Sequence, residues 1–217
     1  MNPSVKNLIH AVVSQVVEKG GYVTKTKLLK LLYLLDVEYY RVHRQTFTGF
    51  DWKFFHLGPW AREFDPLIDE LVRTETLLEN TSVKRDYDTK FFRVAESRDT
   101  RGLFSTFADE SLLLSILNTW SEATTGEILD YVYFRTEPME HGVRNEPLDF
   151  SSVSQERPEK YARPKSTISE KEIRKRRGDF QRSLSEQNTQ ASKFQFTPPR
   201  YDQEFEEAFR KIEAADL

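Results

Sequence analysis

Apolar residues recur at helical spacing through most of the first 134 positions. In the first stretch they repeat three and four apart, which predicts a helix with one buried stripe, beginning at Pro3 and ending at Gly20 and Gly21. The next stretch, 24–42, is apolar around most of its circumference. A helix of that kind is expected at the centre of a helical bundle.

The third apolar block is rich in aromatic rings. Residues 47–60 hold six Phe and Trp rings in fourteen positions, and Phe50, Trp52 and Phe54 alternate as in a short extended segment. The Gly58-Pro59 pair that follows is expected to turn the chain into another helix, because proline suits a helix start.

Later segments complete the pattern. That helix is predicted to restart at Asp65-Pro66, with Asp65 as its cap. The segment 83–94 suggests a β-hairpin with a polar turn. Two further helices are predicted over 109–122 and 124–134, the second opened by a Thr-x-x-Glu capping box. The predicted fold class is therefore mainly α: a compact helical bundle with a small β-hairpin and a charged C-terminal extension.

The composition changes near residue 150. Residues 151–217 hold 14 basic and 12 acidic side chains, against 32 and 35 in the whole chain of 217, so 1–150 carries −5 and the extension +2. We therefore predict a helical domain over 1–150 and an extension over 151–217 that combines a linker, a basic helix and a terminal amphipathic helix.

Several classes of chemistry lack their sequence signatures. The chain has no cysteine, no glycine-rich phosphate loop, no Gly-x-Ser-x-Gly elbow and no His-x-x-x-His pair. We predict no catalytic residue, no metal and no cofactor, and hence a protein that is not an enzyme. Since the N-terminus lacks a signal-peptide pattern and no apolar run reaches membrane-spanning length, the expected location is cytoplasmic and no membrane contact is predicted.

Some ionisable residues have two interpretations. His56 lies among aromatics and could contact a ligand, although a hydrogen-bonded structural histidine is the simpler expectation. Asp36 and Glu38 lie inside the apolar second helix, where burial would raise their pKa values and suggest acid–base chemistry, but the preferred interpretation is that they face a polar gap or pair with Lys or Arg.

Six cations could form a nucleic-acid patch on a helix-turn-helix, although a solvated face is the preferred interpretation. They are Lys25, Lys27, Lys30, Arg41, Arg44 and Lys53.

One segment resembles a known family. The stretch 24–64 reads TKTKLLKLLYLLDVEYYRVHRQTFTGFDWKFFHLGPWAREF and resembles the signature of the Panacea domain, the SocA-like antitoxin family of phage-associated proteins. A second, weaker match is TTGEILDYVYFRTEPM. In this chain Met139 follows Pro138, where many relatives have Trp, and the residues after Phe150 match no pattern of the family. The positions that carry the first match are Lys27, Leu28, Lys30, Leu31, Leu32, Tyr33, Phe47, Gly58 and Pro59.

The resemblance implies a helical domain that neutralises a cognate protein toxin by direct binding, or that acts as an adaptor delivering the toxin to a protease complex. The aromatic Gly-Pro region and the terminal helix supply the candidate contacts, since Trp and Phe often anchor protein interfaces. The terminal segment could equally pack back on its own domain. The candidate partner-binding residues are Trp52, Phe55, His56, Gly58, Pro59, Trp60, Tyr201, Phe205, Phe209 and Ile212.

The alternative function is a nucleic-acid-binding transcriptional regulator of helix-turn-helix type. It would use the predicted hairpin as a wing and the basic run at 171–177 as an arm. The near-neutral net charge of −3 argues against it.

Overall fold

A computed structural model describes residues 3–84, 87–157, 207–210 and 212, without the side chains of residues 3, 4, 81–84 and 87–89. The predicted basic run at 171–177 and most of the extension lie outside these residues. Where the chain is described, its helices are α1 (Pro3–Glu18), α2 (Lys25–His43), α3 (Phe64–Arg73), α4 (Phe107–Trp120), α5 (Thr125–Phe134) and the short α6 (Glu137–Glu140). Its strands are β1 (Lys53–Phe55), β2 (Gly58–Trp60), β3 (Leu77–Lys84) and β4 (Tyr87–Val94).

Helix α2 forms the centre of the structure, as its apolar circumference predicts. It packs against α1, α4 and α5, and also against β2 and β4. The Thr24 hydroxyl caps it by accepting from the backbone N–H of Lys27 at 3.1 Å, and Arg44 ends it in the left-handed conformation. Because neighbours surround it, α2 buries charged side chains as well as leucines.

The predicted fold class is wrong in its proportion of strand. The structure contains two antiparallel hairpins, β1–β2 and β3–β4, so it is mixed α/β rather than a helical bundle with a single hairpin. The β3–β4 hairpin begins at Leu77, before the predicted start at Val83, and pairs Leu77 with Val94. It joins the body where the N–H of Phe92 donates to the carbonyl of Val23 at 2.8 Å.

The Gly58-Pro59 pair does not begin a helix. Gly58 has φ +91°, which excludes the right-handed helical conformation at that residue, and Pro59 pairs with Phe54 across β1–β2. Helix α3 begins later, at Phe64, and Asp65 lies in its first turn instead of capping it.

The α5 prediction is confirmed in detail. Thr124 and Glu127 form a reciprocal capping box at its N-terminus. The chain just beyond residue 150 also packs on the body. Val153 is buried, and its carbonyl accepts from Arg44 Nη1 at 2.5 Å.

Candidate partner-binding site

The short β1–β2 hairpin, residues 53–60, is fixed to the body from behind. Phe54 donates its N–H to the carbonyl of Glu146 at 3.0 Å and accepts from the N–H of Asn145 at 2.6 Å. Lys30 Nζ donates to the carbonyl of Pro59 at 2.6 Å. The hairpin is therefore a rigid element, which lowers the entropy lost when a partner binds.

The outer side of this hairpin presents aromatic rings. Phe55 keeps 38% of its surface exposed, His56 is exposed and Trp60 is half-buried. The Phe55 ring centre lies 4.0 Å from that of His56 and 5.5 Å from that of Trp60. Exposed, clustered rings of this kind are typical anchors of protein interfaces.

A cleft of about 280 Å³ adjoins these rings, and we call it the aromatic groove. It runs between the start of α2, the hairpin and the start of α3. Its wall is mainly apolar, with an ion pair between Lys25 and Asp65 at 3.0 Å and the His56 side chain as further polar groups. The wall of the groove includes Leu29, Lys30, Phe55, Leu57, Trp60 and Phe64.

The structure divides the predicted contact residues into two groups. Phe55, His56 and Trp60 lie together at the surface, whereas Trp52, Gly58 and Pro59 are buried. The buried three support the hairpin from inside and are not available to a partner as the structure stands.

The terminal candidates lie elsewhere. Tyr201 and Phe205 are outside the described residues, and Phe209 and Ile212 are half-buried. The Phe209 ring lies against Gly126, where an added Cβ would come within 3.4 Å of it. Phe209 therefore contacts its own domain at the start of α5.

Asp36 braces the chain that leads into the hairpin. Its carboxylate accepts from the N–H of Thr48 at 2.9 Å, from the Thr48 hydroxyl and from Trp52 Nε1 at 2.7 Å. Burial raises the pKa of Asp36 to about 6, although these hydrogen bonds oppose the rise. Its environment is a polar gap, one of the two explanations expected from the sequence.

Glu38 pairs with cations, which is the other arrangement expected from the sequence. Its Oε2 lies 2.5 Å from Arg157 and 3.6 Å from Arg41 Nε. Arg41 also holds Glu137 of α6 through two bonds, Nη1 to Oε1 at 2.7 Å and Nη2 to Oε2 at 3.1 Å, and it donates to the carbonyl of Ser154 at 2.6 Å. This buried fork joins α2 to α6 and to the chain beyond residue 150.

The six cations predicted as one surface form neither a nucleic-acid patch nor a solvated face. Lys27, Lys30 and Arg41 are buried, with 0%, 2% and 8% of their surface exposed. Lys27 Nζ donates to the carbonyls of Ser121 and Ala123 at 2.8 and 2.6 Å, at the C-terminal end of α4. Lysines in a leucine-rich helix are normally expected on its exposed face. The sequence pattern therefore did not reveal that Lys27 and Lys30 are buried.

Two of the histidines contact their own domain through a ring nitrogen. His43 Nε2 lies 2.6 Å from Asp109 Oδ1, and His10 Nε2 lies 2.7 Å from the carbonyl of Glu96. The carbonyl of His56 accepts from Arg144 Nη1 at 3.1 Å. Across the part of the chain that the structure describes, no three side chains from His, Asp and Glu form a group that could hold a metal ion.

No helix within residues 3–157 or the described terminal turn has both the length and the apolar character needed to cross a bilayer.

No protein-family profile, curated protein or solved structure matches this chain.

Proposed function

We propose that this protein is an antitoxin that binds a cognate protein toxin through the outer face of the β1–β2 hairpin. The proposal joins the resemblance of residues 24–64 to the Panacea domain with one structural observation. That observation is the cluster of Phe55, His56 and the half-buried Trp60 at the surface of a hairpin that hydrogen bonds fix to the body.

The hairpin alone is too small for the whole contact. A stable complex buries on the order of 1,600 Å² in total. The exposed rings and the aromatic groove would supply the central anchors, and the surrounding polar surface of α2 and α3 would supply the rim. Binding of the toxin is the first step in both modes of neutralisation, masking and delivery to a protease.

The test is co-expression of the full chain with the product of the neighbouring gene. Phe55→Ser and Trp60→Ser together should abolish rescue of growth and weaken binding of the purified toxin by roughly 100-fold or more. The toxin level measured during rescue separates the two modes, since delivery to a protease lowers it and masking does not.

The matched control is Leu78→Ser. Leu78 is 42% exposed and lies on the other hairpin, so it is as accessible as Phe55 but outside the proposed interface. Rescue should be retained. Toxicity that persists despite stable co-expression of the unaltered protein, or equal loss of rescue with Leu78→Ser, would contradict the proposal.

A further inference from the structure

Lys30 has an unusual position for a lysine. Only 2% of its surface is exposed, and it is one of the residues that line the aromatic groove. Among the described residues its ammonium nitrogen has one hydrogen-bond partner, the carbonyl of Pro59 at 2.6 Å, and no carboxylate within ion-pair distance. A buried lysine without an acidic partner loses much of the advantage of being charged.

Two other lysines of α2 provide the comparison. Lys27, one turn earlier, is also buried, but it donates to two carbonyls and its nitrogen lies 4.5 Å from the centre of the Tyr22 ring. Lys25 lines the same groove as Lys30, yet half of its side chain is exposed and it pairs with Asp65. Lys30 alone among these three combines burial, a single hydrogen bond and a place in the groove wall.

We propose that Lys30 is a nucleophilic amine that forms an imine with small apolar aldehydes entering the aromatic groove. The Nζ lone pair adds to the carbonyl carbon, and the adduct takes up a proton on oxygen as the nitrogen loses one. The hydroxyl then leaves as water with the remaining proton of the nitrogen, and the nitrogen lone pair forms the carbon–nitrogen double bond. The sequence of steps needs no oxidant or reductant. The proposal goes beyond the antitoxin function and requires no partner protein.

Electrostatics and shape both support this assignment. Burial lowers the pKa of Lys30 to about 7, which favours the uncharged, nucleophilic form of the amine near neutral pH. Desolvation in an apolar pocket is a recognised way to activate a lysine nucleophile. The groove volume of about 280 Å³ suits a molecule of one ring, and Leu29, Leu57 and Phe64 favour an apolar one.

The test treats the full folded chain with limiting benzaldehyde and cyanoborohydride, which reduces any imine to a stable secondary amine, and maps the products by mass spectrometry. At pH near 7, Lys30 should react roughly tenfold or more faster than Lys25, because desolvation favours the neutral amine of Lys30 whereas Lys25 is exposed and paired with Asp65. Lys27 should stay unmodified. Benzyl alcohol, which fills the groove without reacting, should slow labelling of Lys30 only.

The pH dependence gives a second readout. The Lys30 rate should level off above about pH 7–8, whereas exposed lysines continue to speed up towards pH 10. The other titratable groups facing the groove are Lys25, His56 and Asp65, so the profile should be repeated with Lys25→Met and His56→Gln. Both variants should keep the Lys30 plateau.

Lys30→Met should remove the fast-reacting amine, while Lys25→Met should retain it, and urea unfolding of both checks that they fold. The proposal is overturned if Lys30 in the unaltered protein reacts no faster than Lys25, if benzyl alcohol gives no protection, or if the Lys30 rate rises steadily to pH 10. None of these results would bear on toxin binding, so the two proposals fail independently.

Discussion

Asp36 shows how one buried residue sets the position of the hairpin. It connects the middle of α2 to Thr48 and Trp52, which lead directly into β1. Its side chain accepts hydrogen bonds, and burial makes its ionisation less favourable in the folded protein than in the unfolded chain. The consequence is a pH dependence of stability that can be assigned to one carboxyl.

Burial raises the pKa of Asp36 from 3.8 to about 6. A carboxyl with a raised folded-state pKa contributes stability that is complete below its unfolded pKa and is lost as the pH rises through the folded value. Asp36→Asn should lower the free energy of unfolding by about 1–3 kcal/mol, since the amide cannot accept all three bonds. The deficit relative to the unaltered protein should shrink by about 1 kcal/mol between about pH 5 and pH 8.

Urea unfolding at a series of pH values measures both effects. Asp51→Asn is the matched control, because Asp51 is an exposed carboxyl in the same segment and its substitution should change the free energy of unfolding by no more than about 0.5 kcal/mol. A deficit for Asp36→Asn that stays constant from about pH 5 to pH 8 would show that Asp36 does not titrate in this range.

Single-residue chemistry was only partly predictable from the sequence. Asp36 and Glu38 stand out in an apolar helix, so their identity as buried or paired acids could be anticipated. Lys27 and Lys30 could not be separated from surface lysines, because their burial depends on the carbonyls of Ser121, Ala123 and Pro59, far away along the chain. Such partners appear only once the elements are packed.

At the level of elements, local signals placed the helices well and the strands poorly. The capping box at Thr124 and the apolar circumference of α2 are short-range features, and both predictions are confirmed. The β1–β2 hairpin was missed because proline after glycine also signals a helix start. The choice between a hairpin and a helix start depends on the positive φ of Gly58 and on the hydrogen bonds that join Phe54 to Asn145 and Glu146.

The link between α1 and α2 offers a matched pair of glycines. Gly20 has φ +80° with open space around it, whereas a Cβ on Gly21 would lie 1.9 Å from the carbonyl oxygen of Ser121. Gly20→Ala should cost about 1 kcal/mol of stability from backbone strain alone. Gly21→Ala should cost about 3 kcal/mol or more, because the end of α4 must move.

Chemical unfolding of the two variants under identical conditions makes the comparison. The Gly21 variant should also disturb Lys27, whose ammonium binds that same Ser121 carbonyl, so amide hydrogen exchange should quicken at the end of α4. Equal losses of stability in the two variants would mean that the contact between this link and α4 does not constrain the packing.

At the scale of the whole molecule, the terminal segment had two expected docking surfaces. The spacing of its aromatics predicted an amphipathic helix that would dock either on a partner or on its own domain. Helical residues occur at Glu207–Arg210, and the Phe209 ring lies against Gly126 at the N-terminus of α5. The structure therefore favours docking on its own domain for this part of the segment, which leaves the hairpin as the surface for the proposed toxin contact.

Phe209→Ser distinguishes these two roles. If Phe209 stabilises its own domain, the substitution should lower the free energy of unfolding by about 1 kcal/mol, as expected for a half-buried ring. Hydrogen exchange should also quicken around Gly126, while growth rescue stays intact because Phe55 and Trp60 remain in place. Glu207 is exposed and lies within one helical turn of Phe209, so the control substitution Glu207→Ser should alter neither stability nor rescue. Unchanged stability of Phe209→Ser together with lost rescue would instead make the terminal segment a toxin contact.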